Sequence, residues 1–182
     1  VKNQTGQTGF FPNGNFTYND KLTDKNLDFR WIAMRGPREN FITATKTGVK
    51  VNPMETNIKE LAPVSSLFHR LQHEDFETSV TLDYKPKSDK ELAGITLYQG
   101  EKFNYVFGIT KKDKDFYIVL ERTEKGNSKL IASEKISLGK TIKFQAVGEK
   151  DNISFNYSVD GKNFKNLGGP VSGDILSTDV AG

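Results

Sequence analysis

The stretch Phe76-Glu77-Thr78-Ser79-Val80-Thr81-Leu82-Asp83-Tyr84 alternates apolar or small residues with polar ones along its whole length. In an extended chain Phe76, Thr78, Val80, Leu82 and Tyr84 fall on one side and Glu77, Ser79, Thr81 and Asp83 on the other. This is the period of two that a half-buried strand requires. The pattern recurs downstream. Phe103, Tyr105, Phe107 and Ile109 form one such set, Phe116, Ile118 and Leu120 another, and Ile153, Phe155, Tyr157 and Val159 a third. β-Branched and aromatic residues dominate these sets, while Gly, Asp, Asn and Lys separate them, and no segment has the period of a long amphipathic helix.

Working outward, the pattern predicts roughly ten to fourteen strands, more than the seven to nine of an immunoglobulin domain. An all-β, two-sheet antiparallel sandwich of the jelly-roll or concanavalin A-like kind accommodates them, with a closed barrel as the alternative. Residues 1–15, rich in Gly, Asn, Gln and Thr, read as a linker or surface arm, and the sandwich module is expected over 16–182. Within it, Trp31-Ile32-Ala33-Met34 is a short strand candidate ended by Gly36-Pro37, and Val49 and Val51 mark another. Asn52 to Pro63 reads as a loop, and the regular strands are expected to start in Ser66–Leu71. Asp160-Gly161 predicts a tight hairpin turn, because Gly accepts a positive φ. The basic run Lys111, Lys112 and Lys114 around Asp113 reads as a solvated hairpin tip.

Composition fits one large all-β core. Of the 182 residues 35% are hydrophobic, with 13 Phe and 6 Tyr to fill the space between two sheets. The 26 basic and 23 acidic side chains leave a net charge of +3, which points to neither nucleic acid nor a membrane as partner. No cysteine is present, which excludes disulfides, thiolate metal sites and cysteine nucleophiles. No apolar run approaches the ~20 residues of a membrane-spanning helix. The chain starts on Val1 and ends on Asp179-Val180-Ala181-Gly182, and is expected to be a piece of a longer polypeptide.

No catalytic centre is legible in the sequence. Sandwich enzymes that cut glycans place carboxylates at alternating positions on one strand, so that an acid and a base or nucleophile flank the bond. Glu74, Asp75 and Glu77 are the nearest cluster, but they precede or begin the Phe76 strand and read as polar residues at its start. His69 and His73, the only two histidines, have the spacing of zinc ligands on a helix, yet no helix is expected there. In a strand they lie about 13 Å apart. Phosphate loops, nucleophile elbows and nucleotide fingerprints are absent. What remains is recognition. Trp31, Tyr98, Tyr105 and Tyr117 combine an apolar ring with a polar handle suited to a sugar face, with core packing as the alternative for each. Arg35, Arg38 and Arg70 offer donors for sugar hydroxyls or for a carboxylate on a partner domain.

The order of motifs carries a resemblance. Trp31-Ile32-Ala33-Met34-Arg35-Gly36-Pro37, then Ser65-Ser66-Leu67-Phe68-His69-Arg70-Leu71-Gln72, then Phe76, then Ala93-Gly94-Ile95-Thr96-Leu97-Tyr98 resembles the C-terminal β-sandwich module of family 43 glycoside hydrolases, the β-xylosidase and α-L-arabinofuranosidase group. The likeness spans about residues 16–182. Met34 stands where Leu is usual, Leu71 separates Arg70 from Gln72, and the family continues past the position of Gly182 into a Gly-Phe-rich loop and a closing strand. The resemblance implies a concanavalin-like accessory module, with the catalytic carboxylates in a separate five-bladed propeller of the same polypeptide.

On that resemblance Trp31, Arg35, Arg70 and Gln72 are the positions expected to touch the propeller or a sugar, with Tyr98 and Tyr117 as further sugar candidates. Related sandwiches hold a structural calcium between an early acidic residue and one near the C-terminus, which here implies Asp20 and Asp179. No other cofactor is expected. The reading is therefore a noncatalytic module of a glycosidase acting on xylan- or arabinan-derived sugars. The alternatives are an autonomous carbohydrate-binding module and, last, a sandwich hydrolase using Glu74, Asp75 or Glu77. Polysaccharide breakdown favours an extracellular or periplasmic setting, although oligosaccharide-trimming relatives also occur inside cells.

Overall fold

A computed structural model describes residues 17–182; the arm expected over 1–15 lies outside the described residues. The chain divides into two compact units, meeting between Gln72 and His73, and each is described by itself.

The first unit has little regular structure, as the irregular pattern up to Lys50 leads one to expect. β1 (Ile32–Ala33), β2 (Ile42–Thr45), β3 (Gly48–Val51) and β4 (Leu67–Phe68) are its strands among the described residues. β1 pairs antiparallel with β4, Ile32 opposite Phe68 and Ala33 opposite Leu67. β2 and β3 form a hairpin with Thr45 opposite Gly48, closed by the Thr45 hydroxyl donating to the Gly48 carbonyl at 2.9 Å. A single 3-10 turn, Arg38–Asn40, follows Pro37. Among the described residues Leu27, Phe41 and Val64 are its buried apolar side chains. Two expectations are corrected here. Trp31 lies just before the strand rather than in it, and of Ser66–Leu71 only Leu67–Phe68 pairs. The physical reason is that β1 offers only two residues to pair with, so the flanking backbone has no ladder partner in this sheet.

The second unit is the sandwich. β5 (Phe76–Leu82), β6 (Ala93–Gly100), β7 (Phe103–Lys112), β8 (Asp115–Glu124), β9 (Asn127–Ile136), β10 (Ile142–Glu149), β11 (Asn152–Ser158), β12 (Lys165–Asn166) and β13 (Val171–Ser172) precede a short helix, α1 (Thr178–Ala181). β6, β7, β8 and β9 form one antiparallel meander. The second sheet runs in the order β12-β11-β10-β5, with β13 also paired to β11. The two sheets close over one core, with Tyr105, Phe107, Phe144 and Phe155 wholly buried. The Phe107 and Phe144 rings meet edge to face at 5.1 Å, and Phe107 lies 5.3 Å from Phe155, the offset geometries that aromatic rings prefer. The expected all-β, two-sheet antiparallel sandwich is thus the observed fold.

Local details follow from the sequence. Lys111 and Lys112 end β7, and Asp113-Lys114 turns into β8 with Asp113 at φ 56°, the hairpin tip the basic run suggested. The Asp160 turn is built by its own carboxylate, whose Oδ1 accepts from the Lys162 and Asn163 N–H groups at 2.8 Å each. Those two backbone bonds, Asn163 first, hold the Asp160 carboxyl far below the usual range. Tyr84 falls beyond β5 and donates to Glu91 Oε2 at 2.6 Å. Gly94 faces Gly108 across β6 and β7. A Cβ on Gly94 would overlap the Phe107 carbonyl, and one on Gly108 would lie 2.5 Å from the Ala93 oxygen, so the Ala93-Gly94 motif marks a place where two strands approach closely.

Candidate functional site

Within the first unit the loop leading into β1 is held by two arginines. Arg38 donates from Nη2 to the Leu27 carbonyl at 2.6 Å and from Nη1 to those of Asp28 and Trp31 at 3.0 and 2.9 Å, satisfying three backbone acceptors that no strand ladder reaches. Arg30 is gripped by Asp28 through two bonds, Nε to Oδ1 at 2.8 Å and Nη2 to Oδ2 at 2.6 Å. The Arg30 N–H also donates to Asp28 Oδ1, so Asp28 serves as both side-chain clamp and turn former. The Arg30 side chain, then its backbone bond, holds the Asp28 carboxyl well below the usual carboxylate range.

The Arg30 guanidinium in turn lies 4.2 Å from the centre of the Tyr18 ring, a cation-aromatic contact. Tyr18 stacks on His69, with centroids 5.5 Å apart, and the edge of Trp31 meets His69 at 5.7 Å. Asp20 locks this row. Its Oδ2 accepts from the Trp31 indole at 2.8 Å and from the Tyr18 hydroxyl at 3.0 Å, and its Oδ1 from the Leu22 N–H at 2.7 Å. Burial raises the pKa of Asp20, but the bonds from Leu22, Trp31 and Tyr18 outweigh it and leave the group below its ordinary value. His69 Nδ1 lies 3.0 Å from the Arg70 carbonyl, which can only accept, so Nδ1 carries the hydrogen.

Two apolar side chains of this unit stand out into solvent. Phe29, between Asp28 and Arg30, and Leu61 are each 82% exposed. Arg35 sits at φ 56°, in the left-handed region, and donates from Nη1 to the Glu60 carbonyl at 3.2 Å. It therefore straps the loop whose next residue is Leu61. Arg70 and Gln72 are exposed near the end of the unit.

The sequence-predicted residues thus divide. Trp31 joins Tyr18, Asp20 and His69, and Arg35 and Arg38 brace the neighbouring loops. In the second unit Tyr98 lies on β6 opposite Asn104 and Tyr117 on β8 opposite Thr110, both half-buried. Tyr105 is core, its hydroxyl donating to the Ser172 carbonyl at 2.8 Å. Asp75 accepts from the Lys150 N–H at 2.9 Å and Glu77 from Gln145 at 2.8 Å, so two of the three acids of the Glu74, Asp75 and Glu77 cluster serve structural bonds. Asp20 faces three N–H and O–H donors, an arrangement that does not fit a calcium ion, which needs oxygen acceptors around it. Asp179 lies in α1. Among the described residues no three His, Cys, Asp or Glu side chains gather as a metal would require. Tyr18, Asp28 and Arg30 were missed by sequence reasoning, although the spacing of an Asp two residues before an Arg was a usable signal for a local clamp.

Two antiparallel sheets closed over one aromatic core define a concanavalin A-like β-sandwich domain. The chain belongs to the family of β-xylosidase C-terminal concanavalin A-like domains, whose profile matches residues 19–182. Among solved structures, a GH43_12 protein retrieved from a capybara gut metagenome is 40% identical, with a TM-score of 0.89, and is matched over 100% of this chain and 35% of its own. The GH43 BlXynB protein from Bacillus licheniformis is 19% identical over 89% of this chain and 32% of its own, TM-score 0.81. GH43B of a Bacteroides ovatus xyloglucan locus is 17% identical over 100% of this chain and 40% of its own, TM-score 0.82. The latter two share the fold. This chain spans about a third of the length of these relatives. No curated protein matches it.

Proposed function

We propose that the chain is a noncatalytic module of a glycoside hydrolase acting on xylan- or arabinan-derived sugars, and that its first unit docks on a catalytic propeller of the same polypeptide. The observation that carries this reading is the pair Phe29 and Leu61, the most exposed large apolar side chains among the described residues. Each lies on a loop to which an arginine is hydrogen-bonded, Arg38 at the Leu27 and Asp28 carbonyls and Arg35 at the Glu60 carbonyl. Ordering a loop costs conformational entropy, and exposed apolar groups on rigid supports are what a partner surface buries. The share of each relative that this chain covers supports the same reading, since it leaves room for a further domain in a protein of that build.

The test is expression of the enzyme that contains this module beside the module alone. Hydrolysis of aryl β-xylosides and α-L-arabinofuranosides is expected only from the larger protein. In that protein Phe29→Asp and Leu61→Asp should loosen the module, seen as faster proteolysis between the domains. Normal turnover by the isolated chain would overturn the reading.

A further inference from the structure

We propose that the outward face of the β12-β11-β10-β5 sheet binds an uncharged oligosaccharide lengthwise along β10 and β11. Strand alternation puts Gln145 and Val147 of β10, and Ser154 and Asn156 of β11, on the side opposite the core residues Phe144, Ala146 and Phe155. On this side a row of hydrogen bonds crosses all four strands. Asn166 Nδ2 donates to Asn156 Oδ1 at 3.0 Å, Asn156 Nδ2 to Gln145 Oε1 at 2.9 Å, and Gln145 Nε2 to Glu77 Oε1 at 2.8 Å. Asn166 Oδ1 is itself fixed by the Gly169 N–H at 2.9 Å.

The row has two chemical consequences. An amide has two N–H groups and two carbonyl lone pairs, and these bonds use one of each on Gln145 and Asn156. Both side chains therefore keep one donor and one acceptor in a fixed orientation, with their rotamer entropy already lost, as preorganised binding requires. Donors and acceptors in equal number, with no charged group between Gln145 and Asn166, match hydroxyls, which both give and accept. An anion would need donors alone and a cation acceptors alone.

The two ends of the face differ in chemistry. At one end Val147 and Pro170, with the polar groups of Glu149, Asn152 and Ser154, line a shallow, open and mainly polar depression of about 300 Å³. At the other end Phe164 is exposed, with the Lys143 ammonium 5.4 Å from its ring centre. The exposed part of the Phe164 ring offers an apolar aromatic surface for the C–H face of a sugar. Lys143 to Glu149 spans about 20 Å of strand, the length of a short oligosaccharide.

The proposal concerns the second unit and stands apart from the docking of the first. The preference for pentose-based probes rests on the glycosidase reading above. The experiment titrates the ¹⁵N-labelled chain with xylohexaose, arabinohexaose and cellohexaose, each to about 10 mM, and follows amide shifts. The expected result is saturable shifts confined to β10, β11 and the Phe164 turn, with affinity reduced at least about tenfold in the doubly substituted Gln145→Ala/Asn156→Ala chain and several-fold in Phe164→Ala. Circular dichroism verifies that the variants fold, and the shift map of the unsubstituted chain decides the matter if they do not. Binding of cellohexaose alone would sustain the surface while counting against the pentose reading. Shifts elsewhere, no shifts with any of the three sugars, or unchanged affinity in the folded double variant would overturn the proposal.

Discussion

The indole N–H of Trp31 donates to Asp20 Oδ2 at 2.8 Å, and the same carboxylate holds Tyr18 and the backbone of Leu22. One surface aspartate thereby fixes both rings that contact His69. Asp20→Ala should remove all three bonds and cost about 1 kcal/mol, each bond being discounted for solvent exposure. Trp31→Phe should cost less, because Tyr18 and Leu22 keep their partner. Urea denaturation followed by tryptophan fluorescence for Asp20→Ala, and by circular dichroism for both variants, checks this ordering, and equal losses in the two would contradict it.

Acid should weaken the Asp28 clamp. The folded pKa of Asp28 lies well below its unfolded value because Arg30 bonds the charged form. Between those two values the unfolded chain binds the extra proton, so stability rises with pH. The contribution is complete above the unfolded value of about 3.9 and is lost as pH falls through the folded one. Melting temperature measured from pH 5 downward should fall less steeply in Asp28→Asn than in the unsubstituted chain, and parallel curves would count against it.

Alkali should reveal two late tyrosines. Burial, then the bond to Glu91, pushes Tyr84 up to about 12, and burial, then Glu134, does the same for Tyr157. Both values are raised, so the stability they contribute is whole below the unfolded value of about 10 and disappears as pH rises through about 12. Ultraviolet titration of the 6 tyrosines should show Tyr84 and Tyr157 ionising at the end of the curve, together with unfolding. Tyr84→Phe that leaves the late step at full height would exclude the assignment.

Gly94→Ala should be among the most damaging single changes. The added Cβ would overlap the Phe107 carbonyl, and Phe107 sits at the centre of the core, so the backbone must shift with it. A loss of about 3 kcal/mol or more is expected, whereas Gly100→Ala, with nothing within 4 Å of its Cβ, should cost little. Thermal melts of the two variants side by side provide the comparison, and similar melting temperatures would refute it.

Calcium should leave the melting temperature unchanged, whether added or removed with EDTA, since the Asp20 carboxylate already faces protein donors. A rise of several degrees with calcium would point to a site elsewhere in the chain.

The strands were the most legible part of the chain. Phe76–Leu82, Phe103–Lys112 and Asn152–Ser158 appear where the period-two pattern put them, because alternation is a local consequence of burying one side of an extended segment. The loops were less legible. Arg35 and Arg38 looked like groups for a ligand, yet they bind carbonyls of Glu60, Leu27, Asp28 and Trp31, which no pattern of neighbouring residues can announce. Tyr105 and Tyr117 were both aromatic candidates, but Tyr105 shares its side of the strand with Phe103 and Phe107, and the structure buries it in the core.

By itself, the sequence determined that this is an all-β chain, which residues of each long strand share a side, and which family it belongs to through its ordered motifs. The tertiary structure alone decided that β10 lies between β5 and β11, and so that Gln145 reaches Glu77, 68 residues away, and Asn156 on its other side. The difference is physical. A strand's two faces follow from the pleat of a few consecutive residues, whereas its neighbours are chosen when distant strands satisfy one another's backbone hydrogen bonds while closing a common core over Phe107, Phe144 and Phe155.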